Sequence, residues 1–227
     1  DAAKNAGARE VYIVEQPMAA ALGIRLPIDD ASGSMVVDIG GGTTDITVIS
    51  LSGVVNGKNI KIAGDRLNND IIAYVRDEFK ILIGERTAED LKIQAGSIIP
   101  ADTPIEVTIR GRDLITGLPR EVVVTDADVR EAIGPSIDTL VEAIKEVLET
   151  TPPEIVSDVM RRGIYLVGGG ALLRGFDTFL SEWLKVPVYI ADDPLTSVAR
   201  GTGLVVEETL KHIDIIVDEE HALPPTA

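Results

Sequence analysis

Apolar positions along the chain fall into two rhythms, and the switches between them predict the elements. Val11 to Val14 is an apolar run of four that predicts a short buried strand. Met35-Val36-Val37-Asp38-Ile39 predicts a second strand ending in an acid, and Thr44 to Ile49 a third. There Ile46 and Val48 face one way, Thr47 and Ile49 the other. Val54-Val55 and Ile60 to Ala63 continue this as a further strand, giving three antiparallel strands in succession. Helical spacing takes over at Gly64, with Leu67, Ile71, Ile72, Val75 and Phe79 on one side, and a second helix covers 87–95 up to Gly96. Ile105, Val107 and Ile109 then alternate with polar residues and face Val122-Val123-Val124 across the turn at Thr116 to Pro119.

Further on, Thr125 and Asp128 read as a capping box for a helix through Val129, Ile133, Ile137, Leu140, Ile144 and Val147, bent at Gly134-Pro135 and stopped at Thr150 to Pro153. Ile164 to Val167 predicts a strand, followed after glycines by a helix with Leu172, Phe176, Phe179, Leu180 and Trp183 on its core side. Pro187 makes the strand Val186 to Ile190 an edge. Two helices are small on one side: Met18 to Leu22, entered by Pro17 and closed at Gly23, and the one after Pro194 with Ser197, Ala199, Gly201 and Gly203. They suit each other as close-packed partners. The tail from Asp214 is acidic and proline-bearing, and is expected to be partly disordered. Strands followed by helices give an α/β chain in α+β layers, with residues 64–134 as a smaller insertion in a sheet-bearing domain.

Composition narrows the chemistry. Among 227 residues, 21 Lys and Arg face 37 Asp and Glu, a net charge of −16, which argues against a nucleic acid or an anionic membrane as main partner. No cysteine is present, so disulfides, thiolate catalysis and cysteine metal sites are excluded. Both histidines, His212 and His221, lie near the C-terminus, which leaves no Ser-His-Asp arrangement. No apolar run has the length of a membrane span, and no signal segment opens the chain. The first residue, Asp1, falls inside an expected helix closed by Gly7, as in a chain cut from something longer.

What remains is glycine, hydroxyl, carboxylate and amine chemistry. Gly40-Gly41-Gly42 joins two strands where a plain hairpin needs only two turn residues. Their bare N–H groups, with the hydroxyls of Thr43 and Thr44, would form a concave anion-binding surface, and Asp38 could hold a hydrated Mg²⁺ against the anion. The plainer alternative is a flexible hairpin with an incidental acid. Neither a P-loop nor a dinucleotide fingerprint fits, because a strand rather than a helix follows the glycines. Gly168-Gly169-Gly170 is the second such turn, here between strand and expected helix, whose N-terminus suits a phosphate; a merely tight turn is the alternative. Glu89 and Lys92, three apart, share one helix face, as an ordinary surface ion pair would.

Asp38-Ile39-Gly40-Gly41-Gly42-Thr43-Thr44-Asp45 resembles the second phosphate loop of the actin, Hsp70 and sugar-kinase superfamily, whose members hold ATP between two domains. Glu15 to Ala21, Gly84 to Glu89, Thr116 to Arg120, Glu154 to Asp158, Gly168 to Gly175 and Pro194 to Gly201 are similar to the MreB family, the bacterial actins of rod-shaped cells. The resemblance implies an actin-like ATPase (ribonuclease H-like) fold. It divides the chain into residues 1–24, the end of a first domain and a connecting helix; 25–63 with 135–227, the nucleotide-binding subdomain; and 64–134, the insertion.

By the same resemblance, Asp38 would position Mg²⁺ through water and the attacking water itself. Gly40, Gly41, Gly42 and Thr43 would hold the phosphates of ATP or ADP. Glu89 and Lys92 would meet ribose and base, with Gly168, Gly169, Gly170, Ala171 and Leu172 under the adenosine. Gln16 departs from the pattern: the family usually has an acid before Pro17, and an amide can orient water but not take its proton. The resemblance further implies slow ATP hydrolysis coupled to polymerisation, in a cytoplasmic, membrane-associated filament that organises cell-wall synthesis. Its partners would be further copies and membrane-anchored elongation proteins reached through a RodZ-like linker, with membrane contact made elsewhere. The family's first phosphate hairpin is absent from this sequence, so steady hydrolysis is not expected of the chain alone. Magnetosome or plasmid actins, an Hsp70-type chaperone ATPase domain and a sugar kinase are the competing members.

Overall fold

The structure, a computed structural model, describes residues 1–217. After a single turn of helix, α1 (Ala2–Asn5), and an extended stretch, α2 (Gln16–Gly23) begins the folded body. Strands β1 (Ser34–Ile39), β2 (Thr44–Ser50) and β3 (Gly53–Ile60) follow as an antiparallel meander. Helix α3 (Gly64–Phe79), β4 (Ile81–Leu82), α4 (Glu85–Ala95), β5 (Glu106–Asp113) and β6 (Pro119–Thr125) lead to the long α5 (Asp126–Thr150). The chain closes through α6 (Pro153–Arg162), β7 (Ile164–Val167), α7 (Phe176–Leu184), β8 (Val188–Ile190) and α8 (Ser197–Glu207).

Five strands form the principal sheet in the order β3-β2-β1-β7-β8, and a smaller sheet has the order β4-β5-β6. In the principal sheet β1 is central: it pairs antiparallel with β2 and parallel with β7. All six residues of β1 are buried, because both faces of the sheet are covered. Met35, Val37, Ile39, Ile46 and Val48 pack with α3, α5 and the small sheet's Ile109 and Val124 in one continuous core. Val36, Ile49 and Val167 face the other way onto Met18, Ala20 and Ala21 of α2 and Val205 of α8. The alternation read in 46–49 therefore separates two cores rather than core from solvent.

The α2–α8 pair is packed backbone to backbone. A Cβ added at Gly201 would stand 1.7 Å from the Ala19 carbonyl oxygen, and one at Gly23 would stand 1.8 Å from that of Ser197. Ser197 and Gly201 thus lie on the expected contact face, whereas Ala199 and Gly203 are exposed and take no part in it. The capping box is present: the Thr125 hydroxyl accepts from the Asp128 N–H, and the Asp128 carboxylate accepts from the Thr125 N–H at 2.8 Å. Helix α5 runs unbroken through Pro135, and β8 is an edge strand of the principal sheet.

Several expectations need correction. Val11 to Ile13 is exposed and forms no strand; one bridge, Val14 to Ile216, is its only lateral pairing among the described residues. Apolar content predicts a strand only where a neighbour exists to complete the ladder. The third strand stops at Ile60, since Ala63 already precedes the first turn of α3. After Gly168, residues Gly169–Leu172 form a 3₁₀ turn, not an α-helix; α7 begins only at Phe176. Positive φ at Gly168 (80°) and Gly175 (74°) bracket this segment and interrupt any continuous helix. Leu172 is 53% exposed and Trp183 43%, so neither is core. Pro194 opens a 3₁₀ turn, Pro194–Thr196, ahead of α8. Within the tail, Ile213–Ile215 is ordered as a 3₁₀ turn with Ile215 buried; the expectation for 218–227 lies outside the described residues.

Candidate functional site

Both glycine turns arrive at the same end of the sheet because β1 and β7 run parallel and in register, Asp38 beside Val167. Asp38 is only 4% exposed. Its Oδ2 accepts a 2.8 Å hydrogen bond from the side-chain amide of Gln16, at the start of α2. Burial pushes the Asp38 carboxyl above the usual carboxylate range; the Gln16 bond opposes this, and Asp45, directly across the ladder, adds to it. Asp38 Oδ1 faces the second turn: a Cβ added at Gly168 would stand 2.5 Å from it and 2.4 Å from the Ile39 carbonyl oxygen. Gly168, at φ 80°, has to be glycine on both counts.

The first turn is braced from behind by α3. Gly64 N–H donates to Gly40 O at 3.0 Å, and Asp65 N–H to Gly41 O at 2.8 Å. Its own closure is Gly40 N–H to Thr43 O at 3.0 Å. None of Gly40, Gly41 and Gly42 has positive φ. A Cβ at Gly41 or Gly42 would meet nothing closer than the Asp65 carboxylate, at 3.7 and 3.9 Å respectively. At Gly169 only the Leu195 side chain comes near, at 3.3 Å. These three glycines are therefore not demanded by the protein's own packing. Smoothness at an exposed surface is what an approaching ligand needs.

Not every expected group joins the site. The Thr44 hydroxyl is buried and donates to Ile62 O at 2.6 Å, so it is unavailable to an anion; Thr43 lies half-buried at the turn. Ala171 is fully buried, and Gly170 is pressed on Ile39, so the exposed part of the second turn is Gly169 and Leu172. Lys92 lies against the first turns of α3, its ammonium donating to Gly64 O at 3.1 Å and Asn68 Oδ1 at 2.8 Å. Glu89 is exposed on the same helix and makes no ion pair with it. Burial lowers the Lys92 ammonium below its ordinary value against the opposing pull of Glu89 and Asp65. Asn68, Asp65 and Leu195 were not singled out by sequence; only their spacing from Gly64 and Pro194 could have signalled them.

The arrangement is a smooth floor of backbone with one buried acid between two turns. It can accept a polyanion along Gly40–Thr43 and a flat apolar group on Gly169 and Leu172. A divalent ion would find the buried Asp38 carboxylate between the turns and the exposed Asp65 carboxylate beside the first, so it would be held largely through water and by the anion itself. No group of three or more acids or histidines able to hold a metal occurs among the described residues. A separate depression of about 450 Å³ lies elsewhere, with Arg25, Tyr165, Tyr189 and Arg200 in its lining.

Comparison with known proteins decides the family. A sequence profile described as MreB/Mbl protein matches residues 1–214. The chain belongs to the MreB/Mbl family. It is 48% identical over 207 residues to the cell shape-determining protein Mbl of Bacillus subtilis (strain 168), covering 91% of this chain and 62% of the relative. Against the cell shape-determining protein MreB of Escherichia coli (strain K12) the identity is 48% over 220 residues, 97% of this chain and 63% of the relative. The chain thus spans less than two thirds of the relatives' length. Among solved structures, MreB5 of Spiroplasma citri bound to ADP superposes with a TM-score of 0.90 at 38% identity, over 93% of this chain and 64% of that one. The same protein bound to AMPPNP gives 0.89. The MamK double helical filament, at 23% identity and a TM-score of 0.72, shares the fold. The MreB/Mbl chain has the α/β, actin-like ATPase fold expected for it.

Proposed function

We propose that this chain supplies one wall of an ATP/ADP site in a filament-forming bacterial actin homologue. One observation carries the reading: Gly168 fits only without a side chain, against Asp38 Oδ1, so both turns share one buried acid. Nucleotide complexes of the MreB5 relative support it. Gly40, Gly41, Gly42 and Thr43 would hold the phosphates, Gly169 and Leu172 the adenosine, and Asp38 a hydrated Mg²⁺. A bound magnesium nucleotide supplies the reactive phosphate. The chain's part is to orient it, with Gln16 fixing one Asp38 oxygen and aligning water without accepting its proton.

In this reading residues 1–24 end a first domain, 25–63 and 135–227 form the nucleotide-binding subdomain, and 64–134 the smaller insertion. The intact protein assembles into cytoplasmic, membrane-associated filaments, works with membrane-anchored elongation proteins, and organises rod shape. Electron microscopy and sedimentation of the intact protein with Mg·ATP test this. Nucleotide-dependent filaments are expected. ADP production that depends on an added sugar, without filaments, would favour a kinase and overturn it.

A further inference from the structure

The separate depression of about 450 Å³ lies beside β8 and is rich in hydrogen-bond donors. Tyr165 and Tyr189, partners across the β7–β8 ladder, bring their rings to 5.6 Å there. Arg25 enters from the end of α2 and Arg200 from α8. Arg25 is placed by its backbone: at φ 61° it closes α2, its N–H donating to Leu22 O at 2.9 Å and that of Leu26 to Ala21 O at 3.0 Å. Glycine usually takes that left-handed position. Arg200 is placed by its side chain, which donates to the backbone oxygens of Asp192 at 2.6 Å and Asp193 at 3.2 Å.

Neither guanidinium has an ion pair among the described residues, in a chain with 37 acids. Neither tyrosine hydroxyl has a hydrogen-bond partner among them. Asp192 shares the lining, but it gives Arg200 its backbone oxygen rather than its carboxylate. Guanidinium and phenol donors therefore outnumber the acceptors, which suits a ligand bearing carboxylates.

The neighbouring backbone suits an extended one. No strand or bridge pairs with the outer side of β8 among the described residues. Pro187 O accepts from Ile164 N–H at 2.8 Å and Ala191 N–H donates to Leu166 O at 3.0 Å, so these groups face β7. By alternation the N–H and C=O groups of Val188 and Ile190 face outward. A strand added there would set every second side chain on the Tyr165–Tyr189 side, beside the two arginines.

We propose that this surface docks an acidic, extended segment of a partner protein, which adds to β8 as a strand and sets alternate carboxylates on Arg25 and Arg200. Such docking is independent of the nucleotide reading above. The net charge of −16 opposes an acidic partner, but at about 0.15 M salt charges beyond about 8 Å are screened and the local pairs decide.

The test is fluorescence anisotropy of a labelled heptapeptide, Thr-Glu-Val-Glu-Val-Glu-Thr, with the 227-residue chain at that ionic strength. Saturable binding is expected. It should be at least about fivefold weaker for the peptide with Gln in place of Glu, and for the chain carrying both Arg25→Gln and Arg200→Gln, the scale of exposed ion pairs. A peptide N-methylated throughout cannot donate along the edge and should bind at least about tenfold more weakly, the scale of two lost hydrogen bonds. Unaltered affinity in the double variant, or equal binding of the Gln or N-methylated peptide, overturns the inference. So does displacement by millimolar tripolyphosphate, which would mark a general anion site, or the absence of binding. Binding to this chain that is lost in the intact protein would mean that the rest of the molecule covers the surface, and overturns it as well.

Discussion

Gly201→Ala should unfold the chain far more readily than any single methyl group ordinarily does. The added Cβ would have 1.7 Å to the Ala19 carbonyl oxygen, half the 3.4 Å of an ordinary contact. The obstacle is backbone, so no side-chain rotation relieves it, and α8 must retreat from α2. That withdrawal loosens Met18, Ala20, Ala21 and Val205, all at or below 2% exposure. Overpacking of this kind costs about 3 kcal/mol, the upper part of its usual range. With a urea dependence of about 2 kcal/mol per molar, the unfolding midpoint should fall by about 1.5 M. Gly203→Ala is the control, two residues along the same helix with nothing within 4 Å of the new carbon. There alanine's helix propensity should raise stability by about 0.5–1 kcal/mol, and the midpoint by about 0.3–0.5 M. Circular dichroism of both variants through a urea series reads the pair. Shifts of the same sign and size would refute the backbone-contact argument.

The two glycine turns predict a similar contrast: Gly168→Ala should destabilise by about 3 kcal/mol, from left-handed strain plus collision with Asp38, whereas Gly41→Val should melt normally yet bind nucleotide at least about tenfold more weakly. Calorimetric melting and nucleotide titration check the two halves, and normal affinity in Gly41→Val would make that turn merely structural. Asp38→Asn in the intact protein should slow ATP turnover at least about tenfold. Because burial raises the folded carboxyl above its ordinary 3.8, the native charge costs stability above that pH. The variant's stability advantage should therefore grow as pH rises through the acid range, and a flat difference in melting temperature from acid to neutral pH would contradict it. Asp113 shows the opposite sign: backbone N–H groups of Thr116 and Ile115, with Arg120, hold it down to about 2, so its stabilisation is complete above about pH 4 and is lost as pH falls toward 2. Asp113→Asn should flatten that acid limb in urea unfolding; an unchanged limb would remove Asp113 from the explanation.

Much of this architecture is legible because strong local signals agree with the tertiary contacts. The β1–β2 hairpin, the Thr125–Asp128 box and the small faces of α2 and α8 each combine a pattern with a terminator. What was missed depends on partners that a linear pattern does not reveal. Val11 to Val14 has strand composition but only one bridge to pair with. Helix α6 has Ile155, Val156, Val159 and Met160 at helical spacing, but Pro152-Pro153 at its start reads as a stop and only Val159 is buried. The 3₁₀ turn at Gly169–Leu172 follows from left-handed φ at Gly168 and Gly175, and glycine alone does not announce which sign it adopts. At the site, the glycines and Asp38 stand out by composition. Asn68 and its hydrogen bond from Lys92 do not, because α3 and α4 bring them together only in the fold.

The most direct test of the account is a backbone-amide map of the isotopically labelled 227-residue chain as Mg·ATP is added. If the two turns form one nucleotide wall around Asp38, the signals of Gly40–Thr43 and Gly168–Leu172 should shift together along a single weak binding curve, with Gln16 following. Shifts confined to one turn, or centred instead on Arg25, Tyr189 and Arg200, would contradict it.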